Sequence, residues 1–160
     1  MAQKISCGIL MYRLKEGNKI EVLLVHPGGP FYKNKDNLFW SIPKGLSETD
    51  SLEEKDLLEE AIREFKEETS NDLEDDRSKY LYLDSIKQKS GKIVHAWAIP
   101  GDLTEPFKSN TFSMEWPSKS GKVQDFPEAD KGEFFEPALA KDKLNPEQAR
   151  FIDRLLEKLN

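Results

Sequence analysis

Read by the spacing of its apolar residues, the chain opens with two strand-like stretches. Residues 5–14 and 20–26 are rich in apolar and β-branched side chains, and the turn cluster Lys15, Glu16, Gly17, Asn18 separates them. Residues 27–37 mix two prolines and two glycines with Lys, Asn and Asp, the composition of a surface loop that can line a site. Residues 39–42 form a short strand candidate, which Pro43 ends. The period then changes. Leu58, Ala61, Ile62 and Phe65 recur at the i, i+3, i+4, i+7 spacing of a core-facing helix stripe, and this helix is expected to end near Thr69.

After a polar connection over residues 72–78, strands over 80–86 and 92–99 flank the turn Lys89, Ser90, Gly91, Lys92. Alternation puts Ile93, His95, Trp97 and Ile99 on one face of the second strand, and Val94, Ala96 and Ala98 on the other. Residues 100–109 read as a loop and 112–116 as a short strand. Lys119, Ser120, Gly121 and Lys122 repeat the earlier turn, and Phe134 with Phe135 closes the sheet. Residues 146–159 show helical spacing after an Asn145 cap, with Pro146 at the first helical position. Strands, helix, strands, helix predict an α/β sandwich.

Composition narrows the function. The 160 residues are expected to form one domain over 1–160. With 24 Lys and Arg against 30 Asp and Glu the net charge is −6, so phosphate repulsion argues against nonspecific nucleic-acid binding or an anionic membrane surface. An acidic protein that handles phosphates needs cations to bridge them. Residues 1–4 lead into strand-like sequence without a targeting signal, and no apolar run approaches the roughly 20 residues of a membrane span, so a cytoplasmic protein is expected. One cysteine, Cys7, excludes an internal disulfide and multi-thiolate metal sites, and the two histidines lack zinc-site spacing. Neither Lys-Ser-Gly-Lys turn has the order of a phosphate-binding P-loop.

The candidate chemistry lies on the polar face of the first helix. Glu64, Glu67 and Glu68 crowd their carboxylates together, and Glu60 extends the stripe one turn backward. Like charges at this spacing destabilise, and hard oxygen ligands gathered this way suit Mg²⁺ or Mn²⁺. One helix face packs while the other can chelate.

These residues resemble the signature of the Nudix hydrolase superfamily: Gly, five residues, Glu, seven residues, Arg, Glu, hydrophobic, any, Glu, Glu, any, Gly, hydrophobic. Gly45 matches the first glycine, and Arg63, Glu64, Phe65, Glu67 and Glu68 match the core. Trp40, Ser41, Ile42, Pro43, Lys44 and Gly45 look like the lead-in of the subgroup that cleaves dinucleoside polyphosphates. The resemblance implies an α/β/α sandwich with a mixed central sheet, and a metal held by Glu64, Glu67, Glu68 and the Gly45 carbonyl. It also implies an Arg63 that orients a catalytic carboxylate. Glu64, Glu128 and Glu115, in that order, are candidates for the general base.

The sequence departs from the signature at three places. Four extra residues lie between Gly45 and Arg63, Lys55 stands where the early Glu belongs, and Ser70 and Asn71 replace the closing Gly and hydrophobic residue. Ser51 with Glu54, and Asp56 with Glu59, are spaced like capping boxes; Glu53 or Glu54 is expected to replace the early Glu, and Asn71 to take the left-handed cap. For substrate, Lys44 adjoins Gly45 and can reach a phosphate oxygen, and Trp40 is a candidate to stack a base. His95 offers a contact, although a histidine on an apolar strand face is more often a hydrogen-bonded core residue. The implied activity is Mg²⁺-dependent hydrolysis of a nucleoside diphosphate linked to another moiety, first a dinucleoside polyphosphate. The alternatives are nucleoside triphosphate or ADP-ribose pyrophosphohydrolysis, or a catalytically silent Nudix-like module that binds a nucleotide or a protein. A small-molecule nucleotide is the expected partner.

Overall fold

The structure, a computed structural model, describes residues 4–160; of the stretch read above for a targeting signal, residues 1–3 lie outside it. The central sheet contains β1 (Ile5–Lys15), β2 (Lys19–Pro27), β3 (Lys44–Leu46), β4 (Leu81–Lys87), β5 (Ile93–Pro100) and β8 (Ala129–Phe135), in the order β4-β5-β1-β2-β8 with β3 paired to β1. The sheet is mixed. β1 and β5 run parallel from Ile5↔Ile93 to Tyr12↔Pro100, and the other pairs are antiparallel. α1 (Glu54–Thr69) covers one face; α2 (Pro137–Lys143) and α3 (Ala149–Leu159) pack on the other. β6 (Thr111–Glu115) and β7 (Val123–Pro127) form a separate two-stranded ribbon. No helix among the described residues is long and apolar enough to cross a membrane.

Strand alternation sorts the core into two layers. Cys7, Ile9 and Met11 of β1, with Trp97 and Ile99 of β5, meet Leu57, Leu58, Ala61 and Phe65 of α1. Leu10 and Tyr12, with the small Val94, Ala96 and Ala98, meet Phe151, Ile152 and Leu155 of α3. The small row on β5 leaves room for the large side chains of α3, so both helices seat closely. Burial on both faces explains why β1 and β5 read as almost continuous apolar runs.

Several boundaries differ from those expected. Residues 39–42 make only isolated bridges, Val25↔Ser41 and Trp40↔Leu144, and regular pairing starts after Pro43, at Lys44, rather than ending there. The reason lies in β1. Its second half, Tyr12–Lys15, pairs with β2, whereas Ser6–Gly8 pair with β3, so the segment after Pro43 fills the place that β2 leaves. Gly8 permits this: a Cβ there would lie 2.8 Å from the Pro43 carbonyl oxygen, Ile42 Cδ1 and Lys44 Cβ. α2 and β7 were not expected from the pattern. Asn145 and Pro146 cap and open a 3₁₀ turn, Pro146–Gln148, and α3 proper begins at Ala149. Neither capping-box pair caps α1, whose N-cap is Glu53 without a side-chain bond; Ser51 Oγ instead donates to Asp56 at 2.6 Å.

Candidate active site

β3 sets the site by presenting its residues alternately. Gly45 lies opposite Cys7, on the α1 side, and the Glu64 carboxylate rests directly over it: a Cβ at Gly45 would come within 2.0 Å of a Glu64 oxygen. Lys44 lies opposite Gly8 and donates its backbone N–H to Glu68 Oε2 at 2.9 Å. Two of the three candidate ligand carboxylates are therefore placed by backbone of the β3 segment. This is why the helix face and the Gly45 loop act as one unit.

Arg63 is the hub of the remaining carboxylates. Its Nη1 lies 3.0 Å from Glu64 Oε1 and 3.1 Å from Glu67 Oε1, and its Nε donates to Glu60 Oε2 at 3.0 Å. Burial works against the guanidinium charge, but Glu60, Glu64 and Glu67 outweigh it and raise the Arg63 pKa. Burial raises Glu64 above the ordinary carboxylate range, with Arg63 opposing and Glu67 and Glu128 reinforcing. Glu68 is pushed up to about 8, mainly by burial, against the Lys44 N–H and ammonium that favour its ionised form. Lys44 is itself lowered to about 8, first by burial and then by Lys92. The cluster is short of positive charge.

Glu128 joins the cluster through a chain of backbone bonds. The last α1 carbonyls need donors, and Asn110 N–H supplies Glu67 O at 2.9 Å while Lys108 N–H supplies Thr69 O at 3.1 Å. Glu128 N–H in turn donates to the Asn110 carbonyl at 2.8 Å, and its own carbonyl accepts from Gly28 at 3.0 Å. Its carboxylate thereby stands in the field of Glu67, which together with burial, the larger cause, raises its pKa. Glu115 is not in this cluster. It accepts the Lys119 N–H at 2.7 Å and fixes the turn of the β6–β7 ribbon.

Two aromatic expectations are revised or reframed by position. Trp40 is only 2% exposed, donates to Asp36 at 2.8 Å, and packs edge-on to His26 and Phe135 in the α3-side core, so it cannot stack a base. His95 shares a 2.7 Å hydrogen bond with the Tyr82 hydroxyl and stacks with Tyr82 and Trp97; burial lowers its pKa. His95 is thus hydrogen-bonded, and it is partly buried rather than part of the core.

The helix ends also differ from expectation. Ser70, not Asn71, takes the left-handed conformation, with φ 62° and its N–H on Lys66 O; its Oγ donates to Lys108 O at 2.6 Å. Asn71 is buried and pins the 104–105 loop, accepting the Thr104 and Glu105 N–H groups at 3.0 and 2.8 Å. Glu53 and Glu54 are exposed and do not replace the early signature carboxylate. The 47–53 loop is held instead by Glu60, which accepts the Glu48 and Thr49 N–H groups at 2.5 and 2.9 Å. The i, i+3 spacing of Glu60 and Arg63 was the only trace of this in the sequence.

Among the described residues no three His, Cys, Asp or Glu side chains converge in ligating geometry, because Arg63 engages Glu64 and Glu67. The donor set nonetheless fits a hard cation. Glu64 rests on the Gly45 backbone and Glu68 on the Lys44 N–H, and burial, with neighbouring carboxylates adding to it, raises both.

No protein-family model and no curated protein sequence matches the chain. Solved structures do. A C. elegans Ap4A hydrolase binary complex is 22% identical, covering 96% of this chain and 97% of its own, with a TM-score of 0.59. The NUDIX domain of Shewanella oneidensis NrtR, solved with ADP ribose, is 15% identical over 100% of this chain and 90% of its own, with a TM-score of 0.63. The chain has the Nudix fold. A mutT/nudix family protein from Listeria innocua, 15% identical over 99% and 95% of the two chains, aligns with a TM-score of 0.61. In that fold the 47–53 loop of this chain, longer than the signature allows, lies next to the carboxylates and roofs a cavity of about 530 Å³ lined by Lys4, Ile5, Leu46, Leu52 and Leu57.

Proposed function

We propose that the protein hydrolyses a phosphoanhydride bond in a nucleoside diphosphate linked to another moiety, with Mg²⁺ or Mn²⁺ held by Glu64, Glu67, Glu68 and the Gly45 carbonyl. One observation carries this reading: Glu64 rests on Gly45, where only glycine leaves room for it, Arg63 ties Glu64 to Glu67, and the Lys44 N–H of β3 holds Glu68. A cation bound there would neutralise pyrophosphate oxygens and lower the pKa of a bound water. The chain's own groups do the rest. Arg63 restrains Glu64 and Glu67, which would otherwise repel each other. Glu64, whose pKa burial raises, is the first candidate to accept a proton, and Glu128 stands next in the same field.

Dinucleoside polyphosphates are the first choice of substrate, supported by the lead-in from Trp40 to Gly45 and by the likeness to the C. elegans Ap4A hydrolase. The ADP ribose bound to the Shewanella domain favours ADP-ribose as a second reading. Lys44 serves the site through its backbone N–H and, in this proposal, through its ammonium on a phosphate oxygen. The test is incubation with diadenosine polyphosphates, ADP-ribose and nucleoside triphosphates in the presence of Mg²⁺ or Mn²⁺, with products separated. Turnover of diadenosine polyphosphates first is the expected result. Turnover of triphosphates alone would sink the dinucleotide reading, and nucleotide binding without any turnover would leave a silent binding module.

A further inference from the structure

At the position where the signature places its early carboxylate stands Lys55, exposed and paired with Glu53, 3.5 Å away. The stretch between Gly45 and Arg63 is also four residues longer than the signature allows. Glu60 lies outside the signature, yet its two oxygens face two different structures. Oε1 accepts the backbone N–H groups of Glu48 and Thr49, with Ser47 Oγ at 3.4 Å, and Oε2 accepts Arg63 Nε at 3.0 Å. Its side chain is 13% exposed. Arg63 Nη1, on the far side of the same rigid guanidinium, holds Glu64 and Glu67.

We propose that Glu60 is a positioning residue: it clamps the lengthened loop to Arg63 and thereby fixes the orientation in which Arg63 presents Glu64 and Glu67. The inference rests on the metal-dependent reading above. A carboxylate is required because it accepts on both oxygens at once, whereas a glutamine turns an NH₂ toward either the loop amides or the guanidinium. An aspartate keeps the charge but is one methylene too short to reach both partners. Residues that orient metal ligands from behind cost about 10- to 100-fold in metal affinity or activity when changed, and that is the effect expected here.

The experiment compares Mn²⁺ affinity by electron paramagnetic resonance, kcat, KM and amide hydrogen exchange for the full chain, Glu60→Gln, Glu60→Asp and the control Glu59→Gln. Glu59 pairs with Arg77 rather than with Arg63 or the loop amides. Glu60→Gln should weaken Mn²⁺ binding and lower kcat about 10- to 100-fold with little change in KM, and should speed exchange at Glu48 and Thr49, while the control stays unchanged. Wild-type Mn²⁺ affinity and kcat in Glu60→Gln would overturn the proposal. A role confined to holding the loop would speed exchange without moving Mn²⁺ affinity, and that result overturns it too. If Glu60→Gln does not fold, Glu60→Asp decides: impaired Mn²⁺ binding supports the clamp, and full recovery overturns it. A wild-type protein that binds no Mn²⁺ refutes the metal site itself; unaltered exchange at Glu48 and Thr49 in Glu60→Gln would then separately refute the clamp.

Discussion

α1 and α3 pack against opposite faces of the same sheet, yet they use their outer faces differently. α3 buries Phe151, Ile152 and Leu155, and its polar groups serve structural ties such as Arg154 on the Leu83 and Ser85 carbonyls of β4. α1 buries Leu57, Leu58, Ala61 and Phe65 in the same manner, but its other side carries Glu60, Glu64 and Glu67 around Arg63, with Glu68 on the Lys44 N–H. The first arrangement lowers the free energy of the fold. The second works against the ionised forms of Glu64 and Glu68, whose pKa values are raised, and such concentrations of perturbed groups mark functional sites. Apolar stripes anchor both helices, so α1 can carry an unfavourable face because its other face is secured.

The contrast is broken most directly by deleting one member of each kind. Ile152→Ala should cost roughly 2–5 kcal/mol of stability by leaving a cavity under α3, read from denaturant midpoints, while kcat of the molecules that remain folded is unchanged. Glu67→Gln should do the reverse, lowering kcat by about 100- to 1,000-fold with stability little changed, because the repulsion it removes offsets the ion pair with Arg63 that it weakens. Equal losses of stability in both variants would erase the distinction.

Smaller effects sharpen it. Gly45→Ala should displace the Glu64 carboxylate and weaken Mn²⁺ binding by about tenfold, a change in the site rather than in the core, because the atom in the way is the end of a flexible side chain. Trp40→Phe should lower stability by about 1–2 kcal/mol, through lost packing and the lost bond to Asp36, and leave KM unchanged; a raised KM would return Trp40 to the substrate site.

The pH dependence of stability gives the last test. Glu68 has a folded pKa of about 8, above its ordinary 4.5, so between these values the folded state holds the proton more strongly than the unfolded chain. Its contribution is favourable below the unfolded value and is lost as pH rises toward about 8. Without divalent ions the melting temperature should therefore fall across that window; Glu68→Gln should flatten the fall, and Mn²⁺ should oppose it by favouring the ionised form. A melting temperature that rises with pH through the window in the wild type alone would contradict the burial of Glu68.

What was legible in the sequence was local. The α1 stripes follow from residues three and four apart, the β5 faces from alternation, and the Arg63, Glu64, Glu67, Glu68 group from a spacing that one helix fixes by itself. What the tertiary structure decided was every pairing between distant segments. Whether the chain after Pro43 would pair depended on β2 leaving β1 and on Gly8 admitting a close neighbour. The direction of Trp40 depended on α2 and β8, and the place of Glu128 on an Asn110 carbonyl eighteen residues earlier. Glu60 could be read as a fourth charge on a helix, and its Oε2 on Arg63 follows from the i, i+3 spacing, but Oε1 acquired its task only when the 47–53 loop folded back over it. Helix and strand periods are set by geometry within a few residues, whereas the choice of hydrogen-bond partner across the chain is made by which groups burial leaves unpaired.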